Sequence, residues 1–265
     1  MRIDYGAQTD VGCVRELNED NLRVLPELNL FILSDGIGGA AHGEVASEIA
    51  VTTIEQHCRN AAQDPSLPYE GDFRPDLSDK TNRLASALRL ANHAIYQAAS
   101  TDANMRGMGA TIVAVWLEGE RLSLAHVGDS RAYRLRQGTL EQLTRDHSLV
   151  AEQVRLGILT PEQAERSEYQ TMLIRALGAS ETVEVDVDEH VMLVGDAYLL
   201  CSDGLSRMVP DDKIAEAILA LKKPQKATEH LIDLAKAAGG LDNVTAILIR
   251  CQPQSRGLFG LFRRD

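Results

Sequence analysis

Apolar positions along this chain recur with two different periods. Short runs rich in Val, Ile and Leu, each closed by turn residues, occupy positions 28–34, 110–117, 122–127, 131–135, 183–187, 197–202 and 244–250. Their length and β-branched content predict strands. Between them the period becomes that of a helix: Ala46, Ile49, Ala50, Thr53, Ile54 and His57 share one face, and Leu84, Leu88, Ala91 and Ile95 share another. Two more stripes, Ile214, Ile218 and Leu221, then Ala227, Leu231, Leu234, Ala235 and Ala238, predict a second helix pair before the last strand. The order is a strand pair, two long helices, a run of strands, two helices and a final strand. Successive strands joined by connections as short as EGER, between Leu117 and Leu122, pair antiparallel, because parallel pairing needs a long crossover. The expected fold is α+β: packed antiparallel sheets with a helix pair over each outer face.

Three segments interrupt this regularity. Positions 64–78 carry three prolines and read as a solvated connection between two helices. Positions 148–175 hold short helical patterns with a helix start at Thr160-Pro161, as in a small surface subdomain or mobile flap. The stretch 253–265, with its two Leu-Phe steps and closing arginines, reads as a frayed terminus or as a weak peripheral anchor or partner motif. The expected organisation is one domain over 1–252, with the flap inside it, and a tail over 253–265.

Composition narrows the function. A chain of 265 residues, 44% of them hydrophobic, can bury a sizeable core. A net charge of −12 without a long basic run sets nucleic acid aside, because the protein's field would repel it. Cys13, Cys58, Cys201 and Cys251 are widely spaced with no CxxC pair, which fits a reducing compartment. The opening MRIDYGAQTD lacks the apolar core of a signal peptide, and runs such as ATIVAVWL are too short to span a bilayer. A cytoplasmic, soluble protein is expected, and nothing demands more than a monomer.

The candidate chemistry lies at strand ends. FILSDGIGG and YLLCSDGLS both close an apolar run on Ser-Asp-Gly, placing Asp35 and Asp203 alike. Asp129 follows LSLAHVG, and Asp242 with Asn243 precedes VTAILIR. Asp-Gly after a strand is ordinarily a turn. The alternative is that these strand ends share one sheet edge and the four carboxylates meet there. A bare cluster would repel itself, so that reading requires cations, and oxygen donors without His or Cys select Mg²⁺ or Mn²⁺ over zinc. RELNED adds Arg15, Glu19 and Asp20 just before the first of these strands: either a polar turn, or a guanidinium for an oxyanion beside carboxylates for cation-held water.

The ordered series RELNED, SDGIGGAAHGEVAS, GMGATIVA, HVGDSRAYRLRQGTLEQLTRDHS, LIRALG, LLCSDGLSRMV and LDNVTAILI resembles the motifs of the metal-dependent serine/threonine phosphatases of type 2C in their bacterial form. The match runs from about Tyr5 to Arg250. The resemblance implies a four-layer α/β/β/α sandwich with two metals, Mn²⁺ or Mg²⁺, at one edge. By motif Asp35 bridges them, the Gly36 carbonyl joins one, and Asp203 and Asp242 hold the other. Asp129 with Asp203 would take a third, weaker ion. Glu19 and Asp20 would act through water, and Arg15 would bind the substrate phosphate. The resemblance further implies phosphorylated proteins as substrates, a cognate serine/threonine kinase, and 148–175 as the variable flap.

Many eukaryotic members carry His directly after Asp-Gly, where this chain has Ile37, so no proton donor carries over to that position. His42 is a nearby candidate acid; His126 reads as a sheet histidine and His147 as a structural residue at the flap base. Two rivals stand beside the metal enzyme. Cys201 and Arg207 have the C-x5-R spacing of cysteine-dependent phosphatases, yet Asp203 would then face a dianion. A non-catalytic phosphoprotein-binding module would be expected to have lost metal carboxylates, and all are present.

Overall fold

The computed structural model describes residues 1–38 and 42–254, so the stretch 255–265, most of the expected tail, lies outside it. Two antiparallel sheets form the centre. In the first, β1 (Arg2–Asp10), β11 (Val244–Gln252), β10 (Ala197–Cys201), β7 (Arg131–Arg136) and β8 (Thr139–Gln142) lie side by side in that order. The second runs β2 (Asp20–Leu25), β3 (Leu30–Ile37), β5 (Ile112–Glu118), β6 (Arg121–Val127) and β9 (Asp186–Val191), with the two-residue β4 (Gly109–Ala110) also pairing with β3.

Alternation along the strands makes four layers of this. Leu30 and Ile32 of β3 face α1 (Gly43–Gln63) and α2 (Asp79–Thr101), packing with Ile54, Leu84 and Leu88. Phe31 and Leu33, on the opposite face, meet Tyr198, Leu200, Ile247 and Ile249 of the other sheet. On that sheet's outer side, Leu199, Ala246 and Leu248 pack against α6 (Asp211–Ala220) and α7 (Pro224–Ala237). Strands buried on both faces carry unbroken apolar runs, which is why these segments show so little polar alternation. Each fully buried Leu, Ile or Phe contributes about 1.5–3 kcal/mol, and truncating Ile32 to Ala would cost about 2–5 kcal/mol.

The structure departs from the expected boundaries in ways that matter. The run at 28–34 begins late: Leu28 and Asn29 form a turn back onto Leu25 and Pro26, with Asn29 at φ 53°. The strand then continues through Ser34, Asp35 and Gly36 to Ile37. The run at 183–187 is shifted to Asp186–Val191, while Val183 and Val185 pack in the core outside any strand. The strands at 122–127 and 131–135 are neighbours in sequence but belong to different sheets, so the chain crosses between layers at Gly128 to Ser130. The proline-bearing connection at 64–78 is fastened to α2: the buried Arg83 donates to the carbonyls of Leu67 and Pro65, and Asn82 holds Arg74. Among the described residues no helix is long and apolar enough to cross a membrane.

Candidate metal centre

Every sequence-predicted acidic residue arrives at the same end of the two sheets. Asp20 opens β2 directly opposite Asp35 on β3. Asp203 opens α5 (Asp203–Ser206) immediately after β10, Asp242 stands just before β11, and Asp129 lies in the inter-sheet crossing. Neither Ser-Asp-Gly is a turn: the first is the end of a strand, the second the start of a helix. Two hydrogen bonds stitch the sheets together here, and a third braces their donors. Ser202 and Thr245, from the first sheet, donate to Asp20 Oδ2 at 2.8 and 2.6 Å, and Thr245 N donates to Ser202 Oγ at 3.0 Å. Across the second sheet, Thr111 N donates to the Asp35 carbonyl at 2.8 Å, and Asp35 N donates to Thr111 Oγ1 at 3.2 Å.

The electrostatics of this edge are strained. Burial raises the Asp35 carboxyl well above the ordinary range, and the charges of Asp20, Asp203, Asp129 and Asp242 raise it further. Burial also lifts Asp20 to about 7, opposed by its two hydroxyl donors and reinforced by Asp203 and Asp242. Asp129 rises to about 7 through burial and the neighbouring Asp203 and Asp146. Asp203 is raised by burial, although Arg207 donates to its Oδ2 at 3.1 Å. Glu19 is raised by burial and by Glu44, against the pull of Arg15.

Hydrogen bonding does not relieve that strain. Glu19 Oε1, Asp20 Oδ1, Asp203 Oδ1 and Glu44 Oε2 are buried without a hydrogen-bond partner. Unpaired carboxylate oxygens inside a protein carry a large desolvation cost that a hard divalent cation removes, so this all-oxygen donor set fits Mg²⁺ or Mn²⁺. Gly36 is demanded here on steric grounds, because a Cβ would collide with the Gly43 carbonyl, while its N–H donates to the Glu19 carbonyl at 3.1 Å. Arg15, at the rim, donates to Asp242 Oδ2 at 2.8 Å.

Several residues that build the site lie inside the quoted motifs but received no role from the sequence. Asn243 holds the RELNED segment: its side-chain amide donates to the Val11 and Leu17 carbonyls at 3.0 Å each, and its Oδ1 accepts from Glu19 N at 2.8 Å. Ser202, Thr245, Thr111 and Glu44 are revealed only by their partners. His42 caps α1 in the left-handed region, φ 65°, and its Nδ1 lies 3.1 Å from Glu44 Oε1.

A second cluster contains histidine. His126, His147 and Asp186 bring potential ligand atoms within 4.8 Å of one another. Their valences are already taken. His126 Nε2 bonds the Arg145 carbonyl at 3.0 Å, His147 Nδ1 accepts from Gly128 N at 3.0 Å, and Arg175 donates to Asp186. A guanidinium stands where a cation would. Cys201 is fully buried in β10, burial pushes its thiol up to about 12, and Arg207 is occupied with Asp203; the C-x5-R reading is therefore excluded.

Comparison with known proteins agrees with this architecture. The serine/threonine protein phosphatase PstP of Mycobacterium tuberculosis is 38% identical over 246 residues, covering 93% of this chain but 44% of that protein. The chain thus spans less than half the length of that relative. The serine/threonine phosphatase stp of Listeria welshimeri is 33% identical over 253 residues, covering 94% of this chain and 96% of that one. The crystal structure of the catalytic domain of PstP in complex with two manganese ions superposes with a TM-score of 0.80 at 37% identity, covering 95% and 99% of the two chains. The profile of protein phosphatase 2C matches residues 14–239. With the two-sheet sandwich and the acidic edge in the same chain, the protein belongs to the protein phosphatase 2C family.

Proposed function

We propose that the protein hydrolyses phosphoserine and phosphothreonine on other proteins, using divalent cations held at the acidic edge. The observation that carries this reading is the group of buried, unpartnered carboxylate oxygens of Glu19, Asp20 and Asp203 near the guanidinium of Arg15. Asp35, the Gly36 carbonyl, Asp203 and Asp242 would hold two Mn²⁺ or Mg²⁺ ions, Asp129 with Asp203 a third, and Glu19 and Asp20 would reach them through water. Cations of this class supply an acidified water and polarise phosphoryl oxygens.

The remaining work falls to the chain itself. Arg15 sits at the rim, 45% exposed in its side chain, where it can exchange Asp242 for a phosphate and clamp two of its oxygens in parallel. Ser202 and Thr245 fix one oxygen of Asp20 and leave the other turned to the site. Asn243 keeps Glu19 and the Arg15 segment in register with β11. Ile37 offers no proton to the leaving alkoxide. The domain is taken as 1–252 with 148–175 as its flap, working as a cytoplasmic monomer opposite a serine/threonine kinase.

The test is phosphate release from a phosphothreonine peptide with Mn²⁺, with EDTA, and after thiol alkylation. Release that EDTA abolishes and alkylation spares is the expected result. Binding of the peptide without release would favour the non-catalytic module, and EDTA-resistant release would overturn the metal reading.

A further inference from the structure

The histidine cluster sits where the flap joins the sheet, and it grips the residue beside Asp129. Both backbone groups of Gly128 are taken by His147: Gly128 N donates to His147 Nδ1 at 3.0 Å, and His147 N donates to the Gly128 carbonyl at 3.0 Å. Position 128 admits only glycine. Its φ is +104°, and a Cβ would press on Thr111 Cβ at 2.6 Å. Thr111 in turn meets Ser130 Oγ at 2.6 Å and accepts from Asp35 N. Asp129 is therefore held between His147 on one side and the Thr111–Asp35 contact on the other.

The same histidine fastens the far end of the flap. Ile174 N donates to the His147 carbonyl at 2.9 Å, Leu149 N donates to the Met172 carbonyl at 2.8 Å, and Ser148 bridges Leu173. Since Nδ1 accepts, the neutral ring carries its proton on Nε2, which lies between Asp186 Oδ2 at 3.3 Å and Arg175 Nη1 at 3.1 Å. Arg175 completes the lock by donating to Asp186 and to Glu184. Between the flap and the acidic edge runs a groove of about 990 Å³, with Val150, Val154 and Pro161 on one wall and Asp129 and Asp203 on the other.

We propose that His147 is a positioning residue for Asp129: it sets the Gly128 backbone and pins both ends of the 148–173 segment to it, so that the flap wall of the groove and the Asp129 carboxylate move as one unit. This inference rests on the phosphatase reading only in its activity measurement. Arg175 and Asp186 act through His147 by orienting its ring, as outer partners orient a functional imidazole elsewhere.

Two substitutions separate positioning from bulk. His147→Leu keeps volume and loses the acceptor, whereas His147→Asn places an oxygen near the former Nδ1. In EDTA-treated protein, amide exchange at Gly128 should speed up about tenfold or more in H147L, with faster proteolysis inside 148–173, and H147N should return both toward the parent. With Mn²⁺ and a phosphothreonine peptide, H147L should lower kcat about tenfold with little change in KM, and H147N should recover most of it. Parent-like exchange at Gly128 in a folded H147L, or no recovery in H147N, overturns the proposal. Should H147L fail to fold, Arg175→Met loosens the lock from outside and should raise exchange and proteolysis in the same places; unchanged exchange there overturns it equally. An inactive parent would sink the phosphatase reading while the exchange measurement still decides the clamp.

Discussion

Two buried groups of ionisable side chains lie within one end of this molecule, and they are resolved in opposite ways. In the histidine cluster, Asp186 is held below the ordinary carboxylate range despite its burial, because Arg175 and His147 bond to it. At the acidic edge, Asp20, Asp35 and Asp129 are all raised by burial and by neighbouring carboxylates, and oxygens of Glu19, Asp20 and Asp203 are left unpaired. The first group carries its counter-charge in the chain. The second leaves part of that demand unmet. Close spacing of ligand-type atoms is thus a poor guide to a metal site: the tighter cluster is the self-compensated one, and the looser cluster, with its unmet demand, is the candidate for cations.

The strongest way to break that contrast is at Asp35 and Asp203. Asp35→Asn and Asp203→Asn should each lower phosphatase activity by more than the roughly 10–100-fold typical of outer-shell changes at metal sites, with a matching loss of bound Mn²⁺. Melting temperature in EDTA should hold or rise, because one of the repelling carboxylates is gone. Near-normal activity in both variants would reduce the acidic edge to a structural feature.

Arg15→Ala should come next, at about 10–100-fold in kcat/KM and mostly in KM, since a paired charge-assisted contact to phosphate is lost. Mn²⁺ titration should be nearly unchanged; a large fall in metal affinity would mean that Arg15 serves Asp242 and not the substrate. Asn243→Ala removes three hydrogen bonds, one of them to the buried Glu19 N–H, and should cost about 1–3 kcal/mol in denaturant unfolding. An unaltered midpoint would show that the RELNED segment is held by other contacts.

Acid titration sharpens the comparison through its sign. Asp20 and Asp129, folded at about 7 against about 3.9 unfolded, keep protons in the folded state that the unfolded chain releases between those values. Their part of metal-free stability therefore grows as pH falls from about 7 toward 4. Burial and the nearby His126 and Arg175 depress His147 to about 4 against about 6.5 unfolded, so its part is intact above 6.5 and is lost as pH falls toward 4. Melting curves of EDTA-treated parent, Asp129→Asn and His147→Asn across this window should separate the two slopes; equal slopes in all three would contradict the contrast. The smallest effect is expected from truncation after Arg256, which should leave peptide dephosphorylation intact because the motif series ends before it. A folded but inactive truncation would place part of the site in that stretch.

The acidic residues, the antiparallel strands and the two helix pairs could be read from the chain because each rests on local chemistry: apolar period, turn residues, or carboxylates in short motifs. The same local reading placed strand ends wrongly at 28–34 and 183–187, where turn geometry and core packing outweigh composition. It treated Asp35-Gly36 and Asp203-Gly204 alike, though one ends a strand and the other starts a helix. The quoted motifs contain Asn243, Ser202, Thr245 and Thr111 without assigning them a role, since a polar side chain reveals its role only through the partner it meets, here up to 236 positions away. By itself the sequence determined the layers, the acidic candidates and the family. Tertiary structure alone decided that the chain changes sheets at Gly128, that distant segments converge on one edge, and which buried charges meet a partner there, because desolvation and Coulomb energies depend on distances that no run of residues encodes.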